Sequence, residues 1–424
     1  MPSYLDVFRS PRLAVILALG FSSGLPLALT GGTLQAWMTV EGVDLSTIGV
    51  FTLVGLPYVW KFVWAPAMDR FVPPFLGRRR GWLLVTQLLL AAGIGAMAFM
   101  SPRTDLAAIA WIALFIAFAS ASQDIVVDAY RTDVVSREER GLAGALGVVG
   151  YRIAMLVSGA LALVLVVGSG FIPALGWRNT YLLMAALMAV GVLAAFWGEE
   201  PAAVNAPRTL REALVEPFRE FFSRPGALAI LALLVLYKFG DAFAGSLTTA
   251  FLLRGAGFSL DDVGYVNKAV GLAATIVGAL FGGALMVRLG LYRALLGFGI
   301  LQGVAILSFL WLALAGKSYP IMVLAVGLEN VTSGMGTAAF VALLMALCDH
   351  RFTATQYALL SALAAIGRVF IGPVAGYATD PKYLGLSWAA FFFWAFVSAI
   401  PRLVLVWLLR GQIARAEAAG TGLN

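Results

Sequence analysis

Two aspartates one helical turn apart, Asp124 and Asp128, close an otherwise apolar run, LAAIAWIALFIAFASASQDIVVDAY. A charge at bilayer depth costs on the order of 3 kcal/mol, so a carboxylate there has a partner or a job. The chemistry open to it is proton exchange. Desolvation favours the neutral acid, a nearby cation favours the carboxylate, and moving that cation loads or releases a proton. Lys61, in LVGLPYVWKFVW, sits at a similar estimated depth and is the expected counter-ion of Asp124. Asp128 has Arg131 three residues on, and Asp241 has Lys238 three residues before it, so each pair shares a helical face. Asp124 leads as the proton-coupling residue, Lys61 opposes it, and Asp128 and Asp241 stand in reserve. The competing reading is a static structural ion pair.

The elements that must hold these residues are membrane helices. Of 424 residues, 61% are hydrophobic and 12% charged, against about 25% charged in a soluble domain. Apolar runs long enough to span the hydrocarbon core occur at 11–38, 46–68, 81–100, 105–130, 142–168, 178–198, 226–253, 262–288, 292–315, 319–347, 356–378 and 385–409. Most of the 29 basic residues, including Arg78, Arg79, Arg80, Arg137, Arg140, Arg208 and Arg211, fall in alternate connections. By the positive-inside rule these connections, and both termini, are cytoplasmic. Here the net charge of +7 reports topology rather than nucleic-acid binding.

The polar break 199–225, with the amphipathic pattern TLREALVEPFREFF, separates six spans from six. The organisation is a 1–198 half, a 199–225 cytoplasmic linker, a 226–410 half and a 411–424 tail. The halves resemble each other: LSTIG (45–49) answers LDDVG (260–264), Asp133 answers Asp349, and Arg152 answers Arg368. A weak repeat of two six-helix halves predicts an all-α integral membrane fold of twelve helices in two pseudo-symmetric halves, the major facilitator fold, with cargo near the midplane. Gly24-Leu25-Pro26 predicts a loosened first helix, since proline removes a backbone hydrogen bond. The small residues Gly141, Gly144, Gly147 and Gly150 predict close helix packing in the fifth span.

In that fold Arg152, Lys238, Lys268 and Arg368 supply cations, and Asn267, Glu329 and Asn330 supply polar groups, for an anionic cargo rich in hydroxyls and amides. Trp37 and Tyr58 are candidates to stack on sugar faces. Between spans two and three, APAMDRFVPPFLGRRRG departs from the facilitator pattern G-x-x-x-D-R-x-G-R-R: the leading glycine is missing and VPPFL is inserted. Asp69, Arg70, Arg78, Arg79 and Arg80 are expected to form a cytoplasmic gate, with Asp133 or Asp349 as partners.

Four blocks resemble the AmpG muropeptide permeases of Gram-negative bacteria: GLPLALTGGTLQAWMTVEGVDLSTIG, YVWKFVWAPAMDRFVPPFLGRRRGW, SASQDIVVDAYRTDVVSREERG and VLYKFGDAFAGSLTTAFL. The resemblance runs from about residue 4 to 410. It implies an inner-membrane importer, driven by the proton motive force, of anhydro-muropeptides (GlcNAc-anhydroMurNAc with or without stem peptide) for peptidoglycan recycling. That flux feeds β-lactamase induction, and hence antibiotic resistance, in some species. Some members carry two further C-terminal spans, which the twelve expected here do without. Gln123, Asp124, Asp128, Lys238 and Asp241 stand inside the matching blocks, so the resemblance marks them as functional, Gln123 as a cargo-binding residue.

The proton is the expected coupling ion, with no cofactor, no metal and no obligatory protein partner. GFSSG (20–24) matches a nucleophile motif that needs a strand-to-helix elbow and a histidine; it lies in an apolar helix, and the single histidine is His350. The one cysteine, Cys348, excludes an intramolecular disulfide, and no phosphate-binding loop or H-E-x-x-H run appears. The chain is therefore read as a transporter, not an enzyme. The alternatives are a related facilitator carrying another anionic small molecule such as acetyl-CoA, or a non-transporting membrane sensor.

Overall fold

Hydrocarbon leaves backbone polar groups no water to bond, so each spanning segment must satisfy its own, and a helix does. The computed structural model describes residues 11–65, 68, 71–134, 140–170, 172–201, 219, 222–223, 226–347 and 353–421. Asp69, Arg70, Asp349 and His350, and most of the expected amphipathic linker, lie outside the described residues. Among the described residues, eleven helices are long and apolar enough to cross a membrane: α1 Pro11–Val40, α2 Leu45–Val63, α3 Arg78–Met97, α4 Leu106–Arg131, α5 Leu146–Val167, α6 Gly176–Trp197, α7 Ala227–Gly255, α8 Leu260–Met286, α9 Leu291–Ala315, α10 Tyr319–Leu344 and α12 Trp388–Leu408. The 27-residue α11, Thr353–Thr379, fills the remaining place, and α13, Arg410–Thr421, follows α12. The fold is all-α, with twelve membrane helices.

The chain forms two compact units: Met1–Val43 with Val54–Ala206, and Asp44–Leu53 with Pro207–Asn424. In the first, Leu13, Ile16, Leu19, Leu83, Val126 and Tyr130 build a buried core. Lipid is as apolar as these side chains, so close packing rather than water exclusion holds the helices together. Glycines allow it: Gly20 meets the Gly147 carbonyl, Gly150 meets the Leu17 carbonyl, and a Cβ at Gly24 would stand 2.5 Å from the Tyr151 oxygen. Contrary to the expectation from Gly24-Leu25-Pro26, α1 runs unbroken through Pro26 to Thr30. Pro26 is buried, and neighbouring helices hold a proline in place. The break falls instead at Gly31, whose backbone (φ −109°, ψ −109°) leaves the helical region before Gly32–Val40 resumes.

In the second unit Leu233, Leu234, Tyr237, Leu295, Phe298, Leu343 and Val406 form the core. Its segment Asp44–Leu53 lies against α11, where Gly49 meets Gly372 and Gly376, and Thr52 Oγ1 donates to the Val369 carbonyl at 3.0 Å. Asp380, just past α11 and 2% exposed, receives the Ser46 backbone N–H (3.2 Å), the Ser46 hydroxyl (2.6 Å) and the Lys382 N–H (2.9 Å). Lys382 Nζ lies 2.8 Å from Asp44. Burial alone would raise the Asp380 pKa, but the bonds from Ser46 and Lys382 and the Lys382 charge outweigh it and hold it below the ordinary 3.8. A carboxylate with a depressed folded pKa stabilises above its unfolded pKa and loses that contribution as pH falls through the folded one. Asp380→Asn should therefore lower the melting temperature of detergent-solubilised protein at neutral pH, with the gap to wild type closing as the pH drops below 3.8. A gap that persists unchanged into acid would show that the charge is not what stabilises this junction.

Candidate functional site

A cavity of about 260 Å³ opens in the first unit among α1, α4 and α5, its polar lining Ser23, Asp124, Asp128, Arg131, Tyr151 and Arg152. Asp124 is 22% exposed and accepts a short hydrogen bond from the Ser23 hydroxyl on one oxygen. Lys61 Nζ stands 3.9 Å from the other oxygen, at the outer limit of an ion pair. The backbone explains that loose approach. α2 is not one regular helix but includes tight 3₁₀ turns at Phe51–Gly55 and Lys61–Val63, a pattern that often marks a hinge. The following residue, Trp64, fastens this end to α4 by an indole N–H bond to Ser122 Oγ (3.0 Å). The Tyr58 hydroxyl is buried beside Ser120 and close enough to Asp124 to feel its charge.

The other residues named from sequence in this unit separate by what they touch. Arg152 lines the cavity and donates to the Met155 sulfur at 3.7 Å. Asp128 is paired with Arg131 at 3.0 Å, its side chain 61% exposed. Gln123 is wholly buried behind the cavity wall, where its amide and that of Gln87 both donate to Ser22 Oγ (3.1 and 2.8 Å). It joins α4 to α1 and does not face cargo, contrary to its expected role. Trp37 is corrected likewise: it is 4% exposed and stacks on Trp177 at 5.3 Å and against Tyr181 at 5.2 Å, so its ring is already used in the core.

Of the expected gate, Arg79 pairs with Asp133 at 2.9 Å. Arg80 donates to the Ala195 and Phe196 carbonyls at the end of α6, while Glu200 receives the Arg79 and Arg80 backbone N–H groups at the start of α3. These bonds satisfy helix-end groups that have no partner in their own helix, and the carboxylate complements the α3 dipole. They join α3, α4 and α6 within one unit. Arg78 opens α3.

In the second unit the sequence pairs Asp241 with Lys238, and the structure finds a stronger partner. Arg402, 0% exposed, reaches Asp241 Oδ1 at 3.0 Å, while Gln302 donates to Oδ2 at 2.7 Å and Lys238 stands 3.7 Å away. Arg402 also donates to the Tyr237 and Gly299 carbonyls (3.0 and 2.9 Å). Asp241 is thus held by three neighbours on two other helices and its own, rather than by Lys238 alone as the spacing implies. Spacing along the chain does not point from Asp241 to Arg402; the signal for it is a lone arginine inside IPRLVLVWLL, which needs a partner at that depth.

Lys238 Nζ donates to Thr337 at 2.8 Å and Lys268 Nζ to Thr249 at 3.1 Å. Asn267 and Lys268 sit on a widened, π-helical stretch of α8, Val263–Val270, a distortion frequent at functional sites. Asn330 binds Thr275 and the Val326 carbonyl, so its amide joins α10 to α8 rather than facing cargo as expected. Glu329 lies mid-way along α10, and Arg368 is on α11 with its side chain outside the described residues.

Twelve membrane helices in two units, one holding a charged cavity at membrane depth, define a facilitator-type membrane transporter. The fold is that of solved transporters: a peptide transporter in complex with sulfate (TM-score 0.72, 14% identity, covering 96% of this chain and 95% of that one) and a bacterial homologue of the lysosomal transporter Spinster (TM-score 0.68, 18% identity, 99% of each chain). Residues 16–372 match the Major Facilitator Superfamily. The anhydromuropeptide permease of Escherichia coli K12 is 55% identical over 408 residues, 96% of this chain and 81% of that protein; a Rickettsia felis protein named putative transporter AmpG 4 is 31% identical over 416 residues, 96% and 98% of the two chains. The chain belongs to the AmpG family of the major facilitator superfamily. It is an integral membrane transporter of a small molecule, not an enzyme.

Breaking a buried pair by removing one partner typically costs about 3–5 kcal/mol, because it strands the other charge. Arg402→Gln should therefore greatly reduce folded yield and melting temperature, and adding Asp241→Asn should restore most of both. No recovery in the double variant would show that the carbonyl bonds of Arg402, rather than its charge, hold this corner.

Proposed function

We propose that this chain imports anhydro-muropeptides across the bacterial inner membrane by proton symport, with both termini cytoplasmic, and so serves peptidoglycan recycling and the induction of β-lactamase. The observation that carries the proton-coupled reading is the setting of Asp124: membrane depth, a cavity wall, one hydroxyl bond from Ser23 and a loosely placed Lys61. With Asp124 ionised, Lys61 and Ser23 stabilise its charge. A proton arriving on Asp124 removes the attraction to Lys61, and the 3₁₀ turns of α2 give that lysine a path to withdraw. Departure of the proton restores the pair. Each state carries little bare charge at depth, which keeps both accessible.

Cargo is read by the same cavity. Arg152 has no carboxylate within 4.0 Å among the described residues and is placed for an acidic group of the cargo. The Ser23 and Tyr151 hydroxyls beside it suit sugar hydroxyl and acetamido groups. A volume of about 260 Å³ takes one ring with its acidic substituent rather than a whole disaccharide. Lys238 and Lys268 supply further cations in the second unit. Support for the substrate comes from the 55% identity to a protein named anhydromuropeptide permease.

The test is uptake of labelled disaccharide anhydro-muropeptide into vesicles bearing a pH gradient. Wild type should accumulate cargo only with the gradient, and Asp124→Asn should exchange cargo without accumulating it. Uphill accumulation by that variant would make the Asp124–Lys61 pair structural. Failure of wild type to carry the muropeptide, or its displacement by a coenzyme A thioester, would overturn the substrate.

A further inference from the structure

The membrane-depth carboxylates differ in their company. Asp124 has Ser23 and Lys61, Asp128 has Arg131, and Asp241 has Arg402, Gln302 and Lys238. Glu329 differs: among the described residues no lysine or arginine nitrogen lies within 4.0 Å of its carboxylate, and none donates a hydrogen bond to it. It is far from either end of its helix. Ten residues in from Tyr319, it lies about 15 Å along α10 at 1.5 Å per residue.

The charges that act on Glu329 are those of Asp241 and Lys238 on α7. Asp241 is already neutralised by Arg402. Lys238 is anchored on Thr337, which is two turns beyond Glu329 on the same face of α10, about 12 Å along the axis. On the helices packed against α10, Lys268 of α8 donates to Thr249; Arg288 just past α8 and Arg293 at the start of α9 stand at the far ends, as do Arg410, Arg415 and Glu417 beyond α12. Arg368 is on α11. A carboxyl group at this depth, with no cation within 4.0 Å of it among the described residues, is least costly as the neutral acid and becomes costly when ionised. A proton meets that need without rearranging the Asp241–Arg402 pair.

We infer that Glu329 is a second proton-binding site, in the second unit, and that transport moves two protons per cargo, one on Asp124 and one on Glu329. The inference rests on the proton-coupled reading above and adds a stoichiometry to it. The cycle balances without any other reactant: each carboxylate takes a proton from the side where cargo binds and returns it on the side where cargo leaves.

The experiment is steady-state accumulation of labelled disaccharide anhydro-muropeptide in proteoliposomes, with membrane voltage clamped to zero by potassium and valinomycin and a gradient of about one pH unit. Each coupled proton contributes a factor of about ten, so two give about 100-fold accumulation and one gives about tenfold. Wild type should approach 100-fold, Glu329→Gln tenfold, and Glu329→Asp, which keeps the carboxyl group, the wild-type ratio. A structural role for Glu329 would slow uptake without changing the plateau. Wild type settling at tenfold overturns the second site whether or not the Gln variant folds, and so does a Gln variant that keeps the wild-type plateau. A wild type that never accumulates cargo under the gradient overturns the proton-coupled reading itself.

Discussion

The cost of an uncompensated charge in hydrocarbon organises this molecule. Each basic or acidic side chain placed at membrane depth must be paired, satisfied by carbonyls or hydroxyls, or carried without charge. Arg402 shows the rule most fully: at 0% exposure it engages one carboxylate and two backbone carbonyls and joins α12 to α7 and α9. The same demand brings Ser23 and Lys61 to Asp124. Burial makes a similar demand just outside the membrane helices, where Asp380 gathers three donors at the junction of Asp44–Leu53 with the end of α11.

What separates a structural charge from a working one is the number and rigidity of its partners. Asp241 is held by a guanidinium at 3.0 Å and an amide at 2.7 Å, both from well-buried residues of regular helices. Asp124 faces a cavity, and its cation stands 3.9 Å off on a helix that changes between α and 3₁₀ winding. A change of protonation at Asp241 would strand a buried arginine; at Asp124 it would release a lysine that is 35% exposed. That difference in consequence suits the first to anchor the bundle and, in the proposed cycle, the second to switch.

Packing sets the distances on which this electrostatics depends. Gly20, Gly24, Gly147 and Gly150 bring the α1 and α5 backbones so close that no side chain fits between them. Ser23 on α1 and Arg152 on α5 thereby line one cavity with Asp124 of α4. Larger residues at those positions would part the helices and move the hydroxyl from the carboxylate, although neither glycine-rich stretch touches the charge itself.

Much of this was legible in the sequence, because hydropathy is local and additive along the chain. The twelve spans, the helical class, and Asp124 as a carboxylate needing a partner all follow from composition and spacing. Lys61 followed from counting depth, since its helix places it level with Asp124. Pairings that depend on how each helix is rotated were not legible. Asp241 reads as the partner of Lys238 by spacing, yet its principal partner is Arg402, 161 residues away. Trp37 and Asn330 read as cargo-facing by residue type, yet stacking on Trp177 and bonding to Thr275 use them within the bundle. The grouping of Asp44–Leu53 with the second unit has no local signature. Sequence determined which segments cross the membrane and which charges need compensation, because transfer cost belongs to each residue. Tertiary structure alone decided which partner compensates each one, because contact depends on the facing surfaces of helices distant in sequence.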